Sequence, residues 1–165
     1  MIQLVTGGTR SGKTDFAQNL LGEGEKIYLA TAQVWDEEMA KRVERHQAQR
    51  GSDWTTLEGS TSLVDLLPTL SGKKVLLDSI TTWAALAMER EEGDFWLPCF
   101  DLLLAALRGF EGHLVIVTDE VGLGVVPPSP AGRRFRDLLG ALNQRLAAQA
   151  QEVFLVCCGL SLQLK

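Results

Sequence analysis

Residues 7 to 14, GGTRSGKT, carry the spacing G-x-x-x-x-G-K-[ST]. Its chemistry is the capture of phosphate. Gly7 and Gly12 allow backbone turns closed to other residues. The amides of Gly8, Thr9, Arg10 and Ser11 can then point inward and cradle phosphate oxygens at a helix N-terminus. Lys13 is expected to reach the β- and γ-phosphates of a nucleotide, and the Thr14 hydroxyl to ligate Mg²⁺. Such a site needs an acid on a neighbouring strand to hold the metal. Asp78, ending KVLLD (74–78), is the natural choice; capping the helix that follows is a lesser alternative, compatible with it. Glu120, after HLVIVT (113–118), is a second choice.

A second group of reactive residues lies in KRVERHQAQR, 41 to 50. On a helix, positions 39, 43, 46 and 50 share a side, so His46 follows the apolar Met39 and Val43, with Arg42 and Arg50 one turn away. A histidine on such a stripe commonly packs in the core, and scattered arginines commonly line a solvated face. Beside a phosphate loop another use opens. Neutral imidazole can attack phosphorus, and an ordinary imidazole is largely neutral at pH 7. Neighbouring guanidiniums push it further that way, and can also grip phosphates in bidentate fashion.

The elements that must position these groups alternate. Short apolar strands are expected from residue 2 and at 26–31, 74–78, 113–118 and 153–158, with possible edge strands at 53–58 and 162–165. Helices are expected at 13–21, 36–50, from Ser60 or Thr61 through Leu67, at 80–90, 95–109 (capped by Asp94) and 133–150. Residues 119–132 read as a Gly- and Pro-rich loop. Strands alternating with helices predict βαβ units and a mainly parallel sheet flanked by helices. The 165 residues suit one domain, 1–165.

A net charge of −5 argues against a nucleic-acid partner. No apolar run reaches the roughly 18 residues of a membrane span. The chain opens directly on a strand and glycine loop, with no signal peptide ahead of them, so the cytoplasm is the expected compartment. Cys99, Cys157 and Cys158 make no disulfide framework and are expected to be buried free thiols.

LVTGGTRSGKT, YLATAQVWDEEMAKRVERHQAQR, LLDSITTW, VTDEVGLGVVP and FRDLLGALNQRLAAQAQEVFLV together resemble the adenosylcobinamide kinase/adenosylcobinamide-phosphate guanylyltransferase family of cobalamin biosynthesis. The likeness runs almost end to end. It implies a RecA-like P-loop NTPase fold assembled as a homotrimer. It also implies two reactions. A phosphate passes from GTP or ATP to the aminopropanol hydroxyl of adenosylcobinamide. GMP from GTP then joins that phosphate by way of a guanylyl-histidine, and His46 stands at that position. Carried over from the family, the nucleotide contacts fall on Gly7 to Thr14, Thr31, Ala32, Gln33, Gln47, Ala48, Gln49, Arg50, Glu58 and Asp78, with Mg²⁺ on Thr14 and Asp78. Two positions depart from the family pattern: Leu86 and Asp119 stand where related sequences often carry Asn. The stretch 90–98 matches nothing in that pattern. Trp35, Trp54, Trp83 and Trp96 could wall a corrinoid, though core packing suits most of them better.

Overall fold

The structure is a computed structural model. It describes residues 1–32, 51–59, 62–90 and 96–165, without the side chains of residues 90, 96 and 97. The expected helix at 36–50, and with it His46 and Trp35, lies outside the described residues, as do Ser60, Thr61 and Asp94.

Among the described residues seven strands form one sheet. In chain order they are β1 (Ile2–Gly7), β2 (Lys26–Ala30), β3 (Trp54–Glu58), β4 (Lys74–Asp78), β5 (His113–Val117), β6 (Glu152–Cys157) and β7 (Leu160–Gln163). Their order across the sheet is β3-β2-β4-β5-β1-β6-β7. Every pairing is parallel except β6 with β7, an antiparallel hairpin. The described helices are α1 (Lys13–Leu20), α2 (Leu63–Thr69), α3 (Ile80–Arg90), α4 (Trp96–Arg108) and α5 (Pro130–Gln149).

The unbroken apolar strands are explained by burial on both faces. In β5, Leu114 and Ile116 pack toward α2 to α5, while Val115 and Val117 face the other way. In β4 the alternation is the same: Val75 and Leu77 join the larger core, and Leu76 joins Ala17 of α1 and Leu21 just beyond it in the smaller one. A one-residue slip in either strand would swap the two sets. The register is therefore held by shape on both sides.

Most sequence expectations for the elements are met, with two adjustments. The last long helix begins at Pro130, not 133, because Ser129 caps it by accepting from Gly132 N at 3.1 Å and Pro130 suits the first turn. Of its five expected core residues, Leu138, Leu139, Leu142 and Leu146 are buried, and Phe135 is only partly so. The thiol expectation is corrected: Cys157 and Cys158 are exposed and Cys99 is half-buried. Cys158 sits at the tip of the β6–β7 hairpin with φ 54°, which turns it off the strand and out of the core. Trp83 packs against Phe100 in the larger core. Trp54 lies at the sheet edge, edge-on to Tyr28.

Candidate active site

Parallel strands bring their carboxyl ends to one side of the sheet, where ligands bind in open α/β folds. Gly7, Thr31, Glu58, Asp78 and Asp119 all reach that side, at or just beyond the ends of β1, β2, β3, β4 and β5.

The loop after β1 is tightly constrained. A Cβ on Gly7 would stand 2.2 Å from the Val156 carbonyl oxygen of β6, so a side chain there would force two strands apart. Gly12 takes the left-handed conformation, φ 95°, immediately before α1. Arg10 is left-handed as well, φ 57°, an uncommon state for a residue with a side chain and one that gathers at functional sites. The β6–β7 hairpin braces the loop from outside, with Gly159 N donating to Ser11 O at 2.8 Å. Among the described residues no side chain caps the N-terminus of α1. The Ser11 hydroxyl is buried and has no partner among the described residues. A helix start without a cap beside a buried, unpartnered hydroxyl suits an anion.

Lys13 is only 9% exposed. Its Nζ donates to Gly8 O at 2.8 Å and lies 2.6 Å from Asp119 Oδ1. That carboxylate is held in place from behind. Thr81 Oγ1 accepts from Asp119 N at 2.7 Å, and Asn143 Nδ2 donates to Asp119 O at 3.1 Å. Sequence reasoning singled out Glu120 as the second acid and treated Asp119 only as a departure from a pattern. The folded chain reverses their importance. Glu120 folds its carboxylate back onto Gly122 N at 2.6 Å, while Asp119 meets the phosphate-loop lysine. Two adjacent acids after a buried strand were the available signal, and only the path of the chain as it leaves β5 decides which one turns inward.

Asp78 receives two hydroxyls on one oxygen. Thr14 Oγ1 donates to Asp78 Oδ2 at 3.0 Å, and the Tyr28 hydroxyl donates to the same oxygen at 2.9 Å. The competing role belongs to its neighbour: Ser79 Oγ accepts from Thr82 N at 3.3 Å at the start of α3. Hydroxyl and carboxylate oxygens side by side are ligands for a hard divalent cation, which needs few protein ligands when phosphates supply others. Among the described residues no cluster of three or more His, Cys, Asp or Glu side chains offers a richer metal cage.

The remaining sequence candidates divide. Thr31 is fully buried, and its hydroxyl both donates to Ser79 O (2.6 Å) and accepts from Ser79 N (2.9 Å). It thereby positions the backbone just after Asp78. Glu58 is exposed at the end of edge strand β3. Ala32 is half-buried just past β2. Leu86 is buried in the core. Gln33, His46, Gln47, Ala48, Gln49 and Arg50 lie outside the described residues. The chain has two histidines, and the other, His113, begins β5 at the opposite end of the sheet, about 13 Å of strand from its carboxyl end. There it pairs with Gln3 through Nε2 at 2.7 Å, and burial, then the nearby N-terminus and Lys74, push its pKa down. It is remote from the phosphate loop.

The family model for cobinamide kinase / cobinamide phosphate guanyltransferase matches residues 3–164. The chain belongs to that family. The bifunctional adenosylcobalamin biosynthesis proteins CobU of Salmonella typhimurium and Escherichia coli are each 38% identical over the full length of both chains. CobP of Pseudomonas aeruginosa is 34% identical over 100% of this chain and 98% of its own. Among solved structures, the P4 protein of bacteriophage phi6 in complex with ADP superposes with a TM-score of 0.53 at 14% identity. It covers 98% of this chain and 53% of that protein, a likeness of fold. The mainly parallel sheet flanked by helices expected from the sequence is the one observed, and the chain's glycine loop stands at the carboxyl edge of that sheet.

Proposed function

We propose that the protein phosphorylates cobinamide and then transfers GMP from GTP to the resulting phosphate, with residues 1–165 acting as one nucleotide-binding domain. The observation that carries this is the convergence of Lys13, Thr14, Asp78 and Asp119 around the glycine loop of a chain that matches the family end to end. In the first reaction the acceptor hydroxyl oxygen attacks the γ-phosphorus, and the nucleoside diphosphate leaves. Loop amides 8–13 and Lys13 hold the phosphates in line, and Arg10 adds positive charge. Thr14 and Asp78 would hold Mg²⁺, which supplies charge neutralisation between phosphate oxygens.

In the second reaction the His46 imidazole attacks the α-phosphorus of GTP and pyrophosphate leaves. An oxygen of the acceptor phosphate then attacks the same phosphorus and releases the imidazole. Dividing the transfer in two spares the site from holding two polyanions together. Gln33, Gln47, Ala48, Gln49, Arg50, Thr31, Ala32 and Glu58 complete the nucleotide's surroundings in this reading. GTP serves both steps, with ATP an alternative phosphate donor. The reading also carries a cytoplasmic homotrimer. No described helix is long and apolar enough to cross a membrane.

The test is to incubate the protein with cobinamide, Mg²⁺ and either GTP or ATP and to look for phosphorylated cobinamide. Transfer from at least one donor is expected. Intact GTP binding without transfer from either would point instead to a nucleotide switch.

In this reading Lys13 shares or gives up its 2.6 Å contact with Asp119 when it holds a phosphate. Asp119 therefore neutralises the lysine in the free protein and competes with the nucleotide for it. Asp119→Asn is expected to lower the nucleotide Kd about three- to tenfold by calorimetry, the scale of one ordinary hydrogen bond. A weaker Kd in this variant would mean that the carboxylate helps to place the lysine instead of competing for it.

A further inference from the structure

The segment between β5 and α5 joins the phosphate loop to an unusual surface. At one end it is tied to the site: Glu120 N donates to Gly7 O at 3.1 Å, and Asp119 meets Lys13. At the other end Arg133 Nη1 donates to the carbonyls of Pro127 (3.1 Å) and Pro128 (2.7 Å). Between these anchors Leu123 is 86% exposed, Val125 96% and Val126 55%. Loop tips facing water are ordinarily built from small polar residues. Three branched aliphatic side chains within four positions, on a loop pinned at both ends, make an apolar platform instead.

We propose that Leu123, Val125 and Val126 form the platform on which the acceptor's macrocycle rests. The inference builds on the proposed phosphate transfer to cobinamide. The attacking hydroxyl must come to the γ-phosphate at Lys13, so the rest of a large acceptor has to lie over adjoining surface. The loop that starts at Asp119 is such a surface, joined to the phosphate site through Asp119 and Glu120, with Leu123 four residues on from Asp119. Cobinamide is a broad corrin ring with an apolar face and a fringe of amides. Aliphatic side chains complement the face, and water can serve the fringe. In the proposed scheme the nucleotide is held by the glycine loop, Lys13, Thr14 and Asp78, and its binding does not call on these three residues.

The experiment uses the double variant Leu123→Ser/Val125→Ser beside the native protein. Because both side chains are exposed, folding should be unaffected, which thermal melting checks. Four quantities are read: cobinamide retention in equilibrium dialysis, KM and kcat for phosphate transfer to cobinamide, Kd for GTP, and mass by light scattering. The expected result is a cobinamide KM and dissociation constant raised roughly tenfold or more, the scale of lost apolar contacts in a binding site, with GTP affinity and mass unchanged. Unaltered cobinamide binding in the variant overturns the platform, as does failure of the native protein to retain cobinamide. A change of mass accompanying the loss would assign the patch to contact between copies of the chain and equally overturn it. Should the native protein retain cobinamide without phosphorylating it, and the variant lose retention, the platform stands and the proposed reaction falls.

Discussion

Lys13→Ala is expected to abolish phosphate transfer and to weaken nucleoside triphosphate binding about 10²- to 10³-fold. Two effects add. The variant loses charge-assisted hydrogen bonds to phosphate, each worth about 1.5–3 kcal/mol. It also leaves Asp119, whose cation was 2.6 Å away, with its charge uncompensated beside the incoming phosphates. Removing one partner of a poorly solvated ion pair generally costs more than the pair contributes, because the remaining charge has nowhere to go. The double variant Lys13→Ala/Asp119→Asn separates the two effects. It should recover part of the lost binding, about tenfold, and none of the turnover. Calorimetry with GTP and a phosphate-transfer assay measure both quantities. Normal formation of a guanylylated protein by Lys13→Ala would restrict the glycine loop to the first reaction.

The second large effect concerns His46→Ala. With GTP labelled at the α-phosphate, the native protein should acquire a label that acid removes and base does not, the behaviour of a phosphorus–nitrogen bond. The variant should acquire none. Its guanylyl transfer should fall by roughly 10³-fold or more, as when a covalent nucleophile is deleted. Phosphorylation of cobinamide, which needs no imidazole in the proposed scheme, should keep most of its rate. This split between the two reactions is the informative readout, since misfolding would depress both. A label of the same stability on the variant would take His46 out of the mechanism. His113 offers no ready substitute, since it sits at the far end of β5 beside Gln3.

Much of the site was readable from residue order because its chemistry is local. The run from Gly7 to Thr14 carries its own instructions: glycines where the backbone must turn left-handed or touch a neighbouring strand, a lysine and a threonine at the start of a helix. Unbroken apolar runs announced a parallel sheet, since a strand buried on both faces has no polar alternation to show. Asp78 could be named for the same reason, as an acid where such a run stops.

Other features depended on which distant groups the sheet order brings together. Thr14 and Asp78 are 64 positions apart, yet share a hydrogen bond because β4 and β1 flank β5. Whether Asp78 capped a helix or faced the loop was settled by Ser79, whose hydroxyl took the cap. The choice of Asp119 over Glu120 rests on which direction the chain leaves β5, and the exposure of Cys157 and Cys158 on a left-handed tip that residue types alone do not announce. Composition and spacing record which groups a chain owns and how its neighbours along the backbone will fold. The partner across space, and so whether a carboxylate meets a lysine or water, is decided only when strands far apart in the chain lie side by side.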